Sequence, residues 1–248
     1  MEPCAVVSCH VERPLDDACW ARFSSLQEKK PGGFRIAALM RPPDADAGED
    51  EERWLIRARE AAARGPLGHH AHFVSLDHAR PATPGPEHAE RVRRESAWLR
   101  EHGLEPGFFC GGGWYVDEEI AIVAAEAGYV DCTATAFRPA YLQPGAPRLE
   151  VDEPAWLSLD GGRRLLELPA THSLGMALRA AFDPAPLPPV VHAYFHDTDL
   201  LSARRRLALG LALRVLARRR PRSDLERLAH DAGRSARTES FRKAASAP

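Results

Sequence analysis

Apolar residues occur along this chain in two patterns, compact runs of strand length and longer segments with apolar positions three or four residues apart. The compact runs predict strands at about residues 5–9, 34–40, 67–75, 108–110, 129–134, 163–168 and 188–195. The helical spacing predicts helices between them, at about residues 17–28, 53–63, 87–102, 118–127, 174–181 and 200–219. Strands that alternate with helices favour a parallel sheet. We therefore predict an α/β fold, an irregular (β/α) barrel of about seven parallel strands, similar to a distorted TIM barrel.

The length and charge of the chain narrow its organisation and its partners. A chain of 248 residues suits one barrel domain, which we place at residues 1–220, followed by a basic C-terminal tail at 221–248. We expect this tail to be helical to about residue 231 and irregular beyond it. A net charge of -2 provides no general attraction for nucleic acid, so we expect no nucleic-acid partner. The sequence leaves the oligomeric state open.

Cysteine usage and hydropathy bear on the compartment. The five cysteines have no CxxC spacing, which argues against a disulfide scaffold or a zinc ribbon. No uncharged apolar stretch is long enough to span a membrane, and the N-terminus lacks a basic segment followed by an apolar run. These features predict a cytoplasmic protein with no membrane span.

The histidine-rich segment at residues 67–75 provides the first candidate site. Side chains two apart on a strand point to the same face, so we expect His70 and His72 to project together, with Ala71 and Phe73 on the other face. Paired imidazoles bind zinc, cobalt or nickel, but two ligands leave a divalent ion under-coordinated. The alternative is that these histidines are ordinary hydrogen-bonded residues at a strand end.

Other polar residues also fall at the ends of predicted strands. His10 and Glu12 follow the first strand, His172 follows the sixth, and His196 with Asp197 follows the last. Active sites of parallel barrels lie at the C-terminal strand ends. The shared position favours a catalytic metal site over scattered surface histidines.

Two further features are candidates for the same site. A glycine triplet at residues 111–113 is followed by two aromatic residues, so we predict a substrate-binding loop that, with His172, contributes Gly112, Gly113, Trp114 and Tyr115. Asp131 lies inside a predicted strand, where a buried carboxylate needs a partner such as a histidine or an arginine.

These motifs, in this order, resemble the polysaccharide deacetylase family, and the resemblance runs from about residue 5 to residue 219. The segments that carry it are Val6–Glu12, Gly68–His72, Phe109–Tyr115, Gly128–Asp131 and Val190–Asp197. The resemblance implies an irregular barrel of about seven strands, one divalent metal, and removal of N-acetyl or O-acetyl groups from carbohydrate. It makes an acetylated carbohydrate the expected substrate.

The chain departs from the family pattern at three places. His10 and Glu12 stand where the family has two aspartates, and Val74 stands where it has its second histidine, so that His72 would substitute. Cys110 or Gly111 replaces the arginine that opens the family's groove loop. A divergent deacetylase, a relative with another hydrolytic activity and a sugar-binding barrel with a decayed site all fit these changes. A barrel of the amidohydrolase or phosphoesterase type, with His70 and His72 as paired ligands, is a further alternative.

The resemblance, together with the strand-end positions, implies a ligand set. Glu12, His70 and His72 would hold one divalent metal, with zinc expected, because a carboxylate with two imidazoles is a common catalytic zinc set. We expect an open position at such a metal to be filled by water.

Catalytic roles follow from the same comparison. With Glu12 as a ligand, His10 is the expected base for the attacking water, although the two residues could exchange these roles. His196 is the expected acid for the departing amine, oriented by Asp131 or Asp197.

Overall fold

The computed structural model describes residues 1–44, 46–75, 77–143 and 145–245. The strands in these ranges are β1 (Cys4–Val11), β2 (Ala37–Met40), β3 (Leu67–Ala71), β4 (Phe108–Gly111), β5 (Val130–Asp131), β6 (Ala155–Ser158), β7 (Arg164–Glu167), β8 (His172–Ser173), β9 (Val190–His196) and β10 (Arg237–Ser240). The helices are α1 (Asp17–Lys29), α2 (Glu51–Arg64), α3 (Pro86–Glu101), α4 (Glu118–Glu126), α5 (Leu174–Phe182), α6 (Ala203–Arg219), α7 (Leu225–Ser235) and α8 (Phe241–Ala244).

The strands form one sheet in the order β10-β6-β7-β5-β4-β3-β2-β1-β9-β8. Every pairing in this sheet is parallel except that of β6 with β7, which form an antiparallel hairpin. The seven predicted strands correspond to β1 to β5, β7 and β9. The predicted α/β fold with a mainly parallel sheet is therefore confirmed, whereas β6, β8 and β10 were not predicted.

The segment 164–173, which contains β7 and β8, connects the two sides of the parallel sheet. Near its start, Leu168 donates its N–H to the carbonyl of Asp131 at the end of β5 (2.8 Å). Near its end, Thr171 donates its N–H to the carbonyl of His192 in β9 (2.9 Å). One short segment thus pairs with β5 and then with β9, which gives the sheet the curvature of an irregular barrel.

Side-chain caps begin two of the predicted helices. Asp16 caps α1 by accepting the N–H of Cys19 (2.8 Å), and Asp117 caps α4 by accepting the N–H of Ile120 (2.9 Å). A side-chain acceptor at this position satisfies a helix N–H that has no backbone partner. These local interactions explain why both helix starts were predictable.

The core consists of two outer layers and the barrel interior. Outward-facing strand residues pack against the helices, whereas the interior is filled by side chains such as Val6, Leu39 and Phe108. Helix α7 closes the N-terminal end of the barrel, where Leu225 and Leu228 join the interior cluster. The opposite end, where the parallel strands finish, is the end with polar side chains.

The chain after residue 220 differs from the predicted tail. It was expected to be irregular beyond residue 231, but β10 pairs in parallel with β6 and α8 buries Phe241 against the outer core. Residues 237–240 are mostly exposed and lack apolar alternation, so only the available edge of β6 explains the strand. The last three residues of the tail lie outside the described ranges, and the boundary at 220 remains a prediction. Within the described residues, no helix is both long and apolar enough to cross a bilayer.

Candidate metal centre

The ends of β1 and β3 bring a carboxylate and two imidazoles together at the C-terminal end of the barrel. The Glu12 Oε1 atom lies 3.2 Å from Nε2 of His70, and its Oε2 atom lies 2.5 Å from Nε2 of His72. Ala71 and Phe73 point outward into the core beneath the helices, as the strand alternation predicted. The structure therefore brings together the three residues that the sequence suggested as metal ligands.

Backbone carbonyls orient the rings of His70 and His72 so that Nε2 of each ring faces Glu12. The Nδ1 atom of His70 lies 3.0 Å from the carbonyl oxygen of Cys110, and Nδ1 of His72 lies 3.2 Å from the carbonyl oxygen of Ser75. A carbonyl can only accept, so each Nδ1 donates and each Nε2 of a neutral ring carries a lone pair. Backbone carbonyls in this position commonly orient metal-binding histidines.

Burial and the neighbouring groups shift the pKa values of His70 and Glu12. Burial lowers the pKa of His70, although the Glu12 carboxylate acts in the opposite direction. For Glu12, burial alone would raise the pKa, but the charges and hydrogen bonds of His70 and His72 hold it well below the usual range. The Nε2 atom of His72 is buried against Oε2 of Glu12. A carboxylate and two imidazole nitrogens that converge in this small space fit a divalent cation, and the donor types suit zinc.

Asp197 holds Glu12 in place through the backbone. This buried carboxylate accepts the N–H groups of Glu12 (3.2 Å) and Arg13 (2.9 Å), so it ties the end of β1 to the end of β9. Burial raises the pKa of Asp197 to about 6. Asp197 was expected to orient His196, but it accepts backbone N–H groups instead, those of Glu12 and Arg13 and that of Thr198 (2.8 Å). It is a positioning residue for the carboxylate.

His10 lies beneath Glu12, inside the barrel. Its ring contacts the rings of His70 (centroids 4.7 Å apart), Trp114 (5.0 Å), Tyr194 (5.2 Å) and His196 (5.2 Å). Burial, with further contributions from His70 and His196, lowers the pKa of His10 well below its usual value. His10 is therefore a neutral imidazole at neutral pH.

His196 faces the same centre from β9, which pairs with β1 so that His196 lies beside His10 in register. Its Nε2 atom lies 3.6 Å from Oε1 of Glu12, and its side chain is 36% exposed. Asp199 accepts the backbone N–H of His196 (3.0 Å) and lies 4.0 Å from its Nδ1 atom. Asp199, rather than Asp131 or Asp197, is the carboxylate beside this imidazole.

Asp131 lies deeper in the barrel, with partners of its own. It accepts the N–H and the hydroxyl of Thr133 (3.0 and 2.6 Å) and lies opposite Glu167 in the pairing of β5 with β7. Burial raises the pKa of both carboxyl groups, and the neighbouring charge of Asp131 raises that of Glu167 further. The structure places Asp131 beside Glu167 and not against His196; the Thr133 donors reach its Oδ1 atom, whereas its buried Oδ2 atom accepts none of the hydrogen bonds found among the described residues.

The glycine loop contributes one aromatic ring to the centre. Trp114 is buried with a φ of 58° and points inward, onto His10 and Tyr194. Tyr115 points the other way, and its hydroxyl donates to Asp117 (2.9 Å). A Cβ on Gly112 would lie 2.5 Å from the carbonyl oxygen of Ala71, so this glycine allows close packing of the protein's own backbone. Gly113, with a φ of 63°, would meet Arg80 in the same way.

His172 lies at the rim and not in the cluster. Its Nδ1 atom is 2.8 Å from the hydroxyl of Thr171, and burial lowers its pKa. None of the possible metal-binding groups within the described residues includes it.

Tyr194, Cys110 and Asp199 contribute to the site but were not among the predicted site residues. Tyr194 could have been found from the alternation along β9, because residues 192, 194 and 196 share one face. The thiol of Cys110 in β4 lies 3.8 Å from Nε2 of His10 in β1, a contact between strands that are not neighbours in the sheet.

Comparison with known proteins finds similarity at the level of the fold. No family model matches the chain, and no curated protein matches it in sequence. The 4-alpha-glucanotransferase of Thermococcus litoralis is similar over 92% of this chain at 15% identity and a TM-score of 0.56. A Bordetella bronchiseptica protein, provisionally assigned as a polysaccharide deacetylase involved in O-antigen biosynthesis, is similar over 87% of this chain and 90% of that chain, at 13% identity and a TM-score of 0.50. The chain spans only 38% of the glucanotransferase, so that whole enzyme is not the relevant comparison. These comparisons therefore support the resemblance to polysaccharide deacetylases only at the level of the fold.

Proposed function

We propose that this protein is a metal-dependent hydrolase that removes the acetyl group from an N-acetylated sugar. The observation that carries the proposal is the convergence of two buried imidazole Nε2 atoms on the Glu12 carboxylate. A divalent cation held by these three groups would balance the buried carboxylate charge. The resemblance to polysaccharide deacetylases and the fold of the Bordetella protein favour deacetylation over other metal-dependent hydrolyses.

Glu12, His70 and His72 would hold the metal, with zinc as our first choice. A bound divalent ion supplies a Lewis acid for the acetyl carbonyl and makes its water more acidic. Asp197 and the two backbone carbonyls would keep the three ligands oriented.

Proton transfer would involve the two imidazoles on either side of this set. His10 is neutral and therefore has a lone pair that can accept the proton of the attacking water. His196 is on the solvent side of Glu12, where it can donate a proton to the departing amine. The positions of His10 and His196 in register on adjacent strands place both rings against the same small volume.

A cleft beside His196 offers space for the sugar. Its volume is about 620 Å³, within the range of small-molecule sites, and its lining includes Ser173, Tyr194, His196 and Arg204. The inward ring of Trp114 packs against Tyr194 at the base of this region. Hydroxyl, guanidinium and aromatic groups together suit a polar sugar ring.

The test is metal content together with amine release from a panel of N-acetylated sugars. We expect the wild type to bind zinc and release amine, and His72→Ala to lose both. His69→Ala is the matched control, because His69 points out of the barrel and pairs with Glu95 (2.7 Å). Retention of zinc by His72→Ala under chelator competition would refute the ligand set. Zinc-dependent hydrolysis of phosphate esters, with no amine release, would overturn the proposed reaction.

A further inference from the structure

A second group of metal-binding side chains overlaps the first and shares its carboxylate. Ligand atoms of His10, Glu12 and His196 all lie within 4.8 Å of one another, as do those of Glu12, His70 and His72. We propose that His10, Glu12 and His196 form a second, weaker cation site, and that a zinc ion in this site inhibits the hydrolase. The inhibitory role rests on the proposed function, whereas the binding site does not.

The distances around Glu12 support two sites. Two donor atoms bound tetrahedrally to one zinc ion, each about 2.1 Å from it, lie about 3.4 Å apart. The Oε1 atom of Glu12 is 3.2 Å from Nε2 of His70 and 3.6 Å from Nε2 of His196, so each pair is close to this spacing. Metal ions in two-metal sites lie about 3.5–4 Å apart, a separation that one shared carboxylate can span.

The two imidazoles of this second group are free to act as ligands. Nε2 of His10 has only the weak thiol of Cys110 as a hydrogen-bond partner among the described residues (3.8 Å). The thiol is a poor competitor for a cation, because burial raises its pKa and disfavours the thiolate. The His196 ring borders the open cleft, which gives a cation a route from solvent.

The second site should be weaker than the first and should oppose catalysis. Two divalent ions that share one carboxylate repel each other, so we expect the second ion to bind about tenfold or more weakly. This ion would occupy lone pairs of His10 and His196, the two residues proposed to transfer protons. Metal excess would therefore remove the base and the acid together.

The experiment titrates metal-free protein with cobalt alone and follows the visible absorption, with zinc stoichiometry measured in parallel. We expect two ions per wild-type chain in two affinity classes. In His196→Ala we expect one ion per chain, bound within about threefold of the wild-type tight class, because Glu12, His70 and His72 are intact. His172→Ala is the control at the neighbouring strand end and should keep both classes. Amine release by the wild type should rise with the first zinc equivalent and fall about tenfold or more with the second, since both proton-transfer groups are blocked.

The alternative results separate this inference from the proposed function. One ion in the wild type overturns the second site and leaves the hydrolase proposal intact, whereas no bound ion overturns both. Two ions in both the wild type and His196→Ala would place the second ion elsewhere and so refute the site. Two ions with undiminished amine release would refute the inhibitory role.

Discussion

The barrel interior contains histidines in two different environments. Near the N-terminal end, His192 has partners on both nitrogens: the hydroxyl of Ser8 lies 2.8 Å from Nε2, and the carbonyl of Leu168 lies 3.2 Å from Nδ1. Near the C-terminal end, His70 and His72 each contact a backbone carbonyl through Nδ1, and each Nε2 lies against the Glu12 carboxylate. Histidine thus has a structural role near one end of the barrel and a candidate metal-binding role near the other.

The comparison shows that residue type and burial do not by themselves define a site. Asp131 is fully buried and ionisable, yet it accepts from Thr133 and faces no imidazole in the described structure. Glu12 is less buried, but three imidazole nitrogens lie within 3.6 Å of it. The convergence of several imidazole nitrogens on one carboxylate, rather than buried charge, distinguishes the candidate metal centre.

Replacement of the Glu12 carboxylate should have the largest effect. Glu12→Gln keeps the shape but removes the charge, so we expect zinc affinity to fall about a thousandfold or more and amine release to be lost. Glu95→Gln is the matched control, because Glu95 also pairs with a histidine but lies outside the barrel. Competition with a chelator measures both affinities. Equal losses in the two variants would mean that the effect is general to the fold and would remove Glu12 from the ligand set.

We expect His192 to affect the pH dependence of the free energy of unfolding and not the binding of metal. Burial lowers the pKa of His192 to about 4 from a reference of 6.5, so the unfolded chain takes up the proton first as the pH falls. The contribution to the free energy of unfolding is therefore full above pH 6.5 and is lost towards pH 4, by about 3 kcal/mol. Urea unfolding of wild type and His192→Gln at pH 7.5 and 4.5 measures it. An identical pH dependence in the two proteins would contradict the assignment, since all other histidines are common to both.

Loss of the imidazole on the solvent side of Glu12 should slow turnover while the first metal remains. We expect His196→Ala to lower kcat about a hundredfold, the typical contribution of a positioned proton donor, at matched zinc occupancy. Amine release at one zinc equivalent is the measurement. Unchanged kcat would exclude His196 as the acid. In that case His196 would only line the cleft.

The smallest effect is expected at His172, which was a candidate on sequence position alone. Its ring contacts the Thr171 hydroxyl and belongs to no metal-binding group in the described ranges. His172→Ala should therefore change kcat and zinc affinity by less than about threefold, because rim residues without a contact to the reacting groups contribute little. A hundredfold loss of kcat at full zinc occupancy would instead move the proton donor from His196 to His172.

Local patterns were sufficient for the periodic parts of the molecule. The apolar run at residues 5–9 predicted a strand. The starts of the helices at about residues 17 and 118 were predictable because their caps, Asp16 and Asp117, depend on neighbours within a few residues. The segment 237–240 carried no such pattern, and its strand depends on an edge that is distant in sequence. The contacts of residues 164–173 with β5 and β9 likewise depend on strands that are distant in sequence.

The sequence by itself determined that His70 and His72 share a face, because strand alternation is a property of the backbone. It also placed His10, Glu12 and His196 at strand ends, and parallel strands carry such residues to one end of a barrel. Only the tertiary structure decided which carboxylate serves which imidazole, since Asp197, Asp199 and Asp131 are alike in sequence and differ in what packs beside them. Likewise, Trp114 has a φ of 58°, and its ring points inward whereas the ring of Tyr115 points outward. The packing of the loop determines this backbone conformation. The partners of polar groups depend on long-range strand register and on close packing, and neither can be predicted from local sequence.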